Sequence, residues 1–193
     1  MNTLLTILTI AAGLVTLLLI IGLFSKKRYT IEREIDINKP RQVVFDYIRY
    51  LKNQDYYNKW VMMDPNMKKS FDGNDGTGGF VYAWDGNNKA GAGEQEIKKI
   101  VEGRRIDIEV RFKRPFKGVA QTYMETGSGS NAGTIQDCTR VKWAIGNQMG
   151  YPMNLMLLFI NMDKLLGRDI EISLSNLKAI LEQRTKFQDP RSK

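Results

Sequence analysis

The 193-residue sequence has no histidine. That excludes Ser–His–Asp and Cys–His catalysis, imidazole general acid–base chemistry and every zinc site that needs a histidine ligand. Cysteine is nearly absent too. Cys138 stands alone, so no intramolecular disulfide can form and cysteine-rich metal sites are ruled out. With no imidazole to activate it, Cys138 reads as an inert strand residue. Any reaction here would rest on carboxylates, tyrosines, lysines or bound water. No cofactor and no metal are expected, and no catalytic constellation emerges.

A local absence of charge marks the N-terminus. Residues 4–24, LLTILTIAAGLVTLLLIIGLF, contain no charged side chain and no proline. About 20 apolar residues at ~1.5 Å each cross a bilayer core, and the threonines in the run can bond back to their own helix carbonyls. A cleaved signal peptide would place basic residues before the run and a small-x-small site after it. Here Lys26, Lys27 and Arg28 follow the run instead. The expectation is an uncleaved, single-pass transmembrane anchor with the following domain on the cytoplasmic side. Gly13 and Gly22 are too far apart for a GxxxG pair, so the run carries no clear dimerisation signal.

Acidic residues are outnumbered, 21 against 29 basic ones, for a formal net charge of +8. Nucleic acid is the first partner such a balance suggests, but no recognition motif accompanies it. Lys26, Lys27 and Arg28 abut the apolar run, and Arg184, Lys186, Arg191 and Lys193 lie in the last ten residues. The charge therefore reads as a juxtamembrane collar and a solvated tail, with anionic headgroups as partner and no nucleic acid. Three parts follow: 1–28 as anchor and collar, 29–183 as one folded domain, 184–193 as a basic tail.

Within the domain, residues 29–37 alternate, with Tyr29, Ile31, Ile35 and Ile37 on one face and Arg33 the single break in it. Pro40 then suits a helix start, and Val43, Val44, Tyr47, Ile48 and Leu51 recur at helical spacing. A short helical or irregular piece at 55–62 carries Tyr56, Tyr57 and Trp60. Strands are expected at 67–71, 80–84, 91–101, 105–112, 118–126 and 139–145. The glycine-rich stretch 72–79 lacks the Gly-Lys-Ser/Thr of a phosphate cradle and reads as a hairpin connection. The stretch 127–133 reads as a flexible connection. Ile106, Ile108, Val110 and Phe112 share the apolar face of the most regular strand. Residues 151–165 suggest a short Met- and Leu-rich helix. Leu166, Ile170, Leu174, Leu177 and Leu181 draw one stripe on a helix over 166–183. The fold class is α+β, a curved antiparallel sheet with a long C-terminal helix on its apolar face.

Several stretches carry a family resemblance. They are Pro40 with Val44 and Phe45 and on to Trp60; Tyr82, Ala83, Trp84 and Asp85 with Gly91, Ala92 and Gly93; Arg105 and Ile106; Phe112 to Pro115; Thr139 to Trp143; and Leu174 to Lys178. In this order they resemble the SRPBCC superfamily, the START-like, polyketide cyclase/dehydrase and lipid-transport proteins, over about residues 29–183. The resemblance implies a helix-grip fold with an apolar cavity between the sheet and the C-terminal helix. It implies a hydrophobic or lipid-like small molecule as ligand, and it does not single out one ligand or reaction.

Trp60, Phe80, Tyr82, Trp84, Met124 and Trp143 are the residues expected near such a cavity, since buried Tyr and Trp need partners for their polar atoms. Met156, with Met153 and Met162, would supply an adaptable lining. The opposing reading, that each is ordinary core, stays open. Glu94 and Glu96 share a strand face, which would raise one carboxyl if that face were buried and would leave a solvated pair near Lys98 if not. Asp85, Glu109 and Glu125 are the other possible acids or bases. Phe116, in a basic turn, reads as a membrane contact, a gate at a cavity mouth or a residue folded onto the core edge. Three functions remain: a membrane-anchored binder of a hydrophobic molecule, a protein-interaction module without ligand, and a cyclase/dehydrase-like enzyme.

Overall fold

A computed structural model describes residues 2–130 and 138–183. Part of the glycine- and serine-rich connection and the basic tail lie outside the described residues. Helix α1, Thr3–Phe24, is long and apolar enough to cross a membrane. Thr9 and Thr16 donate to the carbonyls four residues back, at 2.8 Å each, so the hydroxyls stay within the helix.

Strand β1, Arg28–Ile37, opens the folded domain and is followed by α2, Arg41–Ile48. Pro40 sits one residue before that helix rather than inside it. Val44, Phe45, Tyr47 and Ile48 are its buried face, and Val43 turns outward, a correction to the expected stripe. A 3-10 turn at Leu51–Asn53 leads into two single-turn helices, α3 at Gln54–Tyr57 and α4 at Lys59–Met62.

Six strands then run as a meander. They are β2 (Lys68–Asp72), β3 (Val81–Asp85), β4 (Ala92–Val101), β5 (Arg105–Arg114), β6 (Gly118–Ser128) and β7 (Thr139–Gln148). Strand β1 closes on the last of them, giving one antiparallel sheet in the order β1-β7-β6-β5-β4-β3-β2. Register shifts between Ala92 and Gly93 and between Ile97 and Lys99 bend the β4–β5 pair, as bulges do. The glycine-rich stretch after β2 is a hairpin connection. Its Asp75 carboxylate accepts from the backbone N–H groups of Leu51 and Lys52, at 2.8 and 3.1 Å, and so caps the 3-10 turn. Gly76 there has φ +77°, and a Cβ on it would stand 2.8 Å from the ring of Tyr50.

The expected helix over 151–165 is broken. A 3-10 turn, Met153–Leu155, is followed by the single-turn α5, Met156–Phe159, and the chain becomes extended at Ile160. A wide turn at Asp163–Gly167 then feeds the terminal helix α6, Arg168–Gln183. Ile170, Leu174, Leu177 and Leu181 are its buried stripe, packed on β1 and β7 and on α3 and α4. At roughly 1.5–3 kcal/mol for each large aliphatic side chain buried, that stripe is the main attachment of α6.

Two contacts join the end of α1 to the domain. Asn154 Nδ2 donates to the Gly22 carbonyl at 2.6 Å, and the Met149 N–H donates to the Lys27 carbonyl at 2.8 Å. Leu155 lies against Gly22 so closely that a Cβ there would be 2.9 Å from its Cγ.

Candidate functional site

The alternation in β5 and β6 sends Ile108, Val110, Phe112, Ala120 and Thr122 to the concave face of the sheet. Opposite them, α3 and α4 present Gln54, Asn58 and Trp60. These surfaces do not meet. Between them lies a cavity of about 310 Å³. Trp84 and Trp143 extend its walls, Met162 and Leu166 complete them where α6 begins, and Tyr29 stands at the start of β1. The exposed Lys89, Arg114 and Pro115 border it at the other end.

This position corrects the expected one. The cavity is not beneath the length of the terminal helix, because the buried stripe of α6 fills that half of the sheet with side chains. It lies beyond the helix start, roofed by α3 and α4.

Of the seven expected site residues, Trp60, Tyr82, Trp84 and Trp143 line the cavity. Phe80 does not. It precedes β3, is 1% exposed and stacks on Phe71 at 6.3 Å, within the filled core. Met124 does not either. It is 1% exposed on β6, where its sulfur accepts from the Tyr57 hydroxyl at 3.6 Å. Met156, on α5 before the helix ends at Ile160, does not line it, whereas Met162, beyond that point, does.

The polar lining is more specific than aromatic patterning suggests. Gln54 Oε1 accepts from Asn58 Nδ2 at 2.8 Å and from Gln95 Nε2 at 3.3 Å. No bond from its Nε2 is seen among the described residues. Across the cavity, Thr122 Oγ1 accepts from Trp143 Nε1 at 2.9 Å and donates to the Ala144 carbonyl at 2.7 Å. Trp60 Nε1 donates to Asp169 at 3.0 Å, and Trp84 Nε1 to the Ala90 carbonyl at 3.2 Å. The indoles are therefore satisfied by protein and turn apolar surface inward. Gly93 makes the space for one of them: a Cβ there would be 2.7 Å from the Trp84 ring.

Burial, and then the Asp55 carboxylate that accepts from its hydroxyl at 2.7 Å, push the Tyr82 phenol well above its usual range. Burial also raises the Tyr29 phenol, partly offset by its hydrogen bond with Asn147. Both are neutral at physiological pH. No Asp or Glu is among the described lining residues. Glu94, Glu96 and Glu109 gather instead around Arg111, and all three are held below the usual carboxylate range. The raised carboxyl does not hold, and the pair is partly buried and ion-paired rather than solvated, with Lys98 on Glu96. Asp85 pairs with Arg114, and Glu125 with Arg104 and Arg105.

Gln95 was open to discovery from sequence, because it interrupts the inward side of β4 between Gly93 and Ile97. Gln54 and Asn58 carried no such signal, since single-turn helices have no periodicity to interrupt.

No family model matches the chain, and no curated protein does. Solved structures do match. Norcoclaurine synthase from Thalictrum flavum, in complex with dopamine and hydroxybenzaldehyde, aligns with a TM-score of 0.57 at 12% identity over 84% of this chain and 92% of that one. Ara h 8.0201 aligns with 0.54 at 12% identity over 81% and 99%. A protein from Chromobacterium violaceum aligns with 0.54 at 14% identity over 79% and 96%. Likeness at these identities is likeness of fold. The chain carries the helix-grip fold that the SRPBCC superfamily shares with these Bet v 1-like proteins.

Proposed function

We propose that the protein is a membrane-anchored domain that binds a hydrophobic or lipid-like small molecule in the cavity between its sheet and α3, α4 and the start of α6. The observation that carries this reading is the cavity itself, about 310 Å³. That is at the lower end of the roughly 300–1,000 Å³ usual for ligand sites. It suits a ring system or a single chain better than a two-chain lipid. Three indoles offer apolar surface and Gln54 offers its Nε2 donor, which favours an apolar guest with one acceptor. In this reading residues 1–28 are the anchor and its basic collar, 29–183 the binding domain on the cytoplasmic side, and 184–193 a basic tail.

The described lining favours binding over catalysis. Its ionisable groups are two neutral phenols and two exposed cations at the border, with no carboxylate to move a proton. The test is fluorescence titration of the full chain in detergent micelles with 1-anilinonaphthalene-8-sulfonate, followed by native mass spectrometry after exposure to a lipid extract. Val110→Trp, which fills the cavity, should abolish saturable probe binding and any co-purifying mass. Equal binding by wild type and Val110→Trp would overturn the reading.

A further inference from the structure

A second hollow, a groove of about 600 Å³, lies between the chain leaving α1 and the broken segment before α6. One side is Lys26, Arg28, Tyr29 and Ile31, and the other is Leu157 to Asp163. Its apolar rim has no cover among the described residues. Phe159 is 74% exposed, Leu158 48% and Ile160 37%. Such a cluster needs a partner, and its position indicates which. The Asn154 and Leu155 contacts to Gly22 hold this segment against the last turn of α1. If α1 crosses a bilayer, the rim stands at the surface of that bilayer.

The charges agree. Lys26 and Arg28 line the groove, and among the described residues the Arg28 side chain bonds through its Nε to Gln148 at 3.0 Å. The groove's acidic residue, Asp163, is already neutralised by two bonds of 2.9 Å from Arg33. The groove therefore sets an apolar wall, Leu157 to Ile160, beside a basic end at Lys26 and Arg28, the pattern of an anionic amphiphile. Tyr29 and Met162 line both this groove and the internal cavity. Two side chains thus form the partition between the two spaces.

We propose that the groove is a portal through which a single-chain anionic lipid passes from the bilayer. Its headgroup rests on Lys26 and Arg28, and its chain passes between Tyr29 and Met162 into the cavity. The proposal rests on the binding reading above and adds ligand class, source and route to it. A thioether and a ring edge are suited to such a partition, because Met rotamers interconvert easily and leave no polar group exposed to the chain.

The test uses the full chain in phosphatidylcholine nanodiscs doped with palmitic acid carrying a mid-chain diazirine, with the corresponding alcohol as the uncharged arm. After irradiation, peptide mass spectrometry should find the acid on Tyr29 and Met162 and on the cavity strand at Ile108 and Phe112. The alcohol should label these less. Lys26→Gln and Arg28→Gln should each lower labelling by the acid roughly fivefold, the factor one basic residue contributes at an anionic surface. Met162→Trp should remove label from Ile108 and Phe112 and keep it at Leu158 and Ile160. Cavity label that survives Met162→Trp, or equal labelling by acid and alcohol, would overturn the proposal. If anilinonaphthalene sulfonate fills the cavity while membrane-borne acid never reaches it, the portal falls and cavity binding stands. If neither enters, both fall.

Discussion

The guanidinium of Arg33 occupies the space that a side chain on Gly167 would need. Arg33 is the one charged residue on the inner face of β1, and it meets Asp163 in the wide turn before α6 and Glu171 in the first turn of α6. Asp163 takes two bonds of 2.9 Å and Glu171 one of 2.5 Å. The glycine and the arginine are one arrangement that sets where the terminal helix begins.

Their coupling is measurable. In an Arg33→Ala background, Gly167→Ala should stabilise the protein by up to about 1 kcal/mol, the usual helical advantage of alanine over glycine. With Arg33 present the same change should destabilise, because the new methyl displaces the guanidinium from both carboxylates. Denaturant unfolding of the full chain in detergent, run as a double-mutant cycle, reads the change of sign. Equal effects in the two backgrounds would refute the relationship.

The glutamates around Arg111 set a pH dependence. Glu94 is held below its ordinary value of 4.5 by Lys113 first and then Arg111, and Glu96 by Lys98 first and then Arg111. A carboxyl whose folded value is depressed contributes stability that is fully present above its unfolded value and is lost as pH falls through the folded one. Stability should therefore decline as pH drops below about 4.5, and Arg111→Gln should flatten that slope while leaving pH 7 to 9 unchanged in shape. Denaturation midpoints recorded from the acid range up to pH 9 give the comparison.

Thr122 is the acceptor for the Trp143 indole. Thr122→Val keeps the shape and removes the oxygen, leaving a buried N–H without a partner, at a cost of about 1–3 kcal/mol. Because that indole faces the cavity, a guest with an acceptor should recover part of the loss. Unfolding curves with and without bound probe test both halves of the expectation.

Asn154 joins α1 to the domain through Nδ2, and its Oδ1 has no partner among the described residues. Asn154→Ala should loosen the backbone after α1 and quicken tryptic cleavage at Lys26, Lys27 and Arg28, whose side chains are already exposed. Loss of about 1 kcal/mol raises the open population roughly fivefold, and cleavage should quicken by a similar factor. An unchanged cleavage rate would mean that the contact does not hold the two parts together.

Much of the fold was legible because its elements obey simple periods. The alternation of Ile106, Ile108, Val110 and Phe112 and the stripe from Ile170 to Leu181 required only one neighbouring surface to satisfy. Arg33 was visible as an exception, though not what it answered, since Asp163 and Glu171 lie far away in sequence. The cavity was harder to place. Its position depends on where packing stops, and Phe80 and Met124 carry the same apolar signal as residues that line it. The polar wall of Gln54, Asn58 and Gln95 arises from three side chains meeting across a gap, a relationship no single segment encodes. The break at Ile160 was hidden by a run of Met and Leu that suits a helix as well as two turns.

Residues 25–27 are all that separate α1 from β1. Extended chain covers ~3.5 Å per residue, so the step from Phe24 to Arg28 can reach at most about 14 Å. With α1 in a bilayer, that leash is less than half of the ~30 Å hydrocarbon thickness. Short of leash and held to α1 by Asn154 and Leu155, the domain would be a fixture and not a shuttle. Whatever it took up could be handed only to its own leaflet, or to a visitor that came within that short radius.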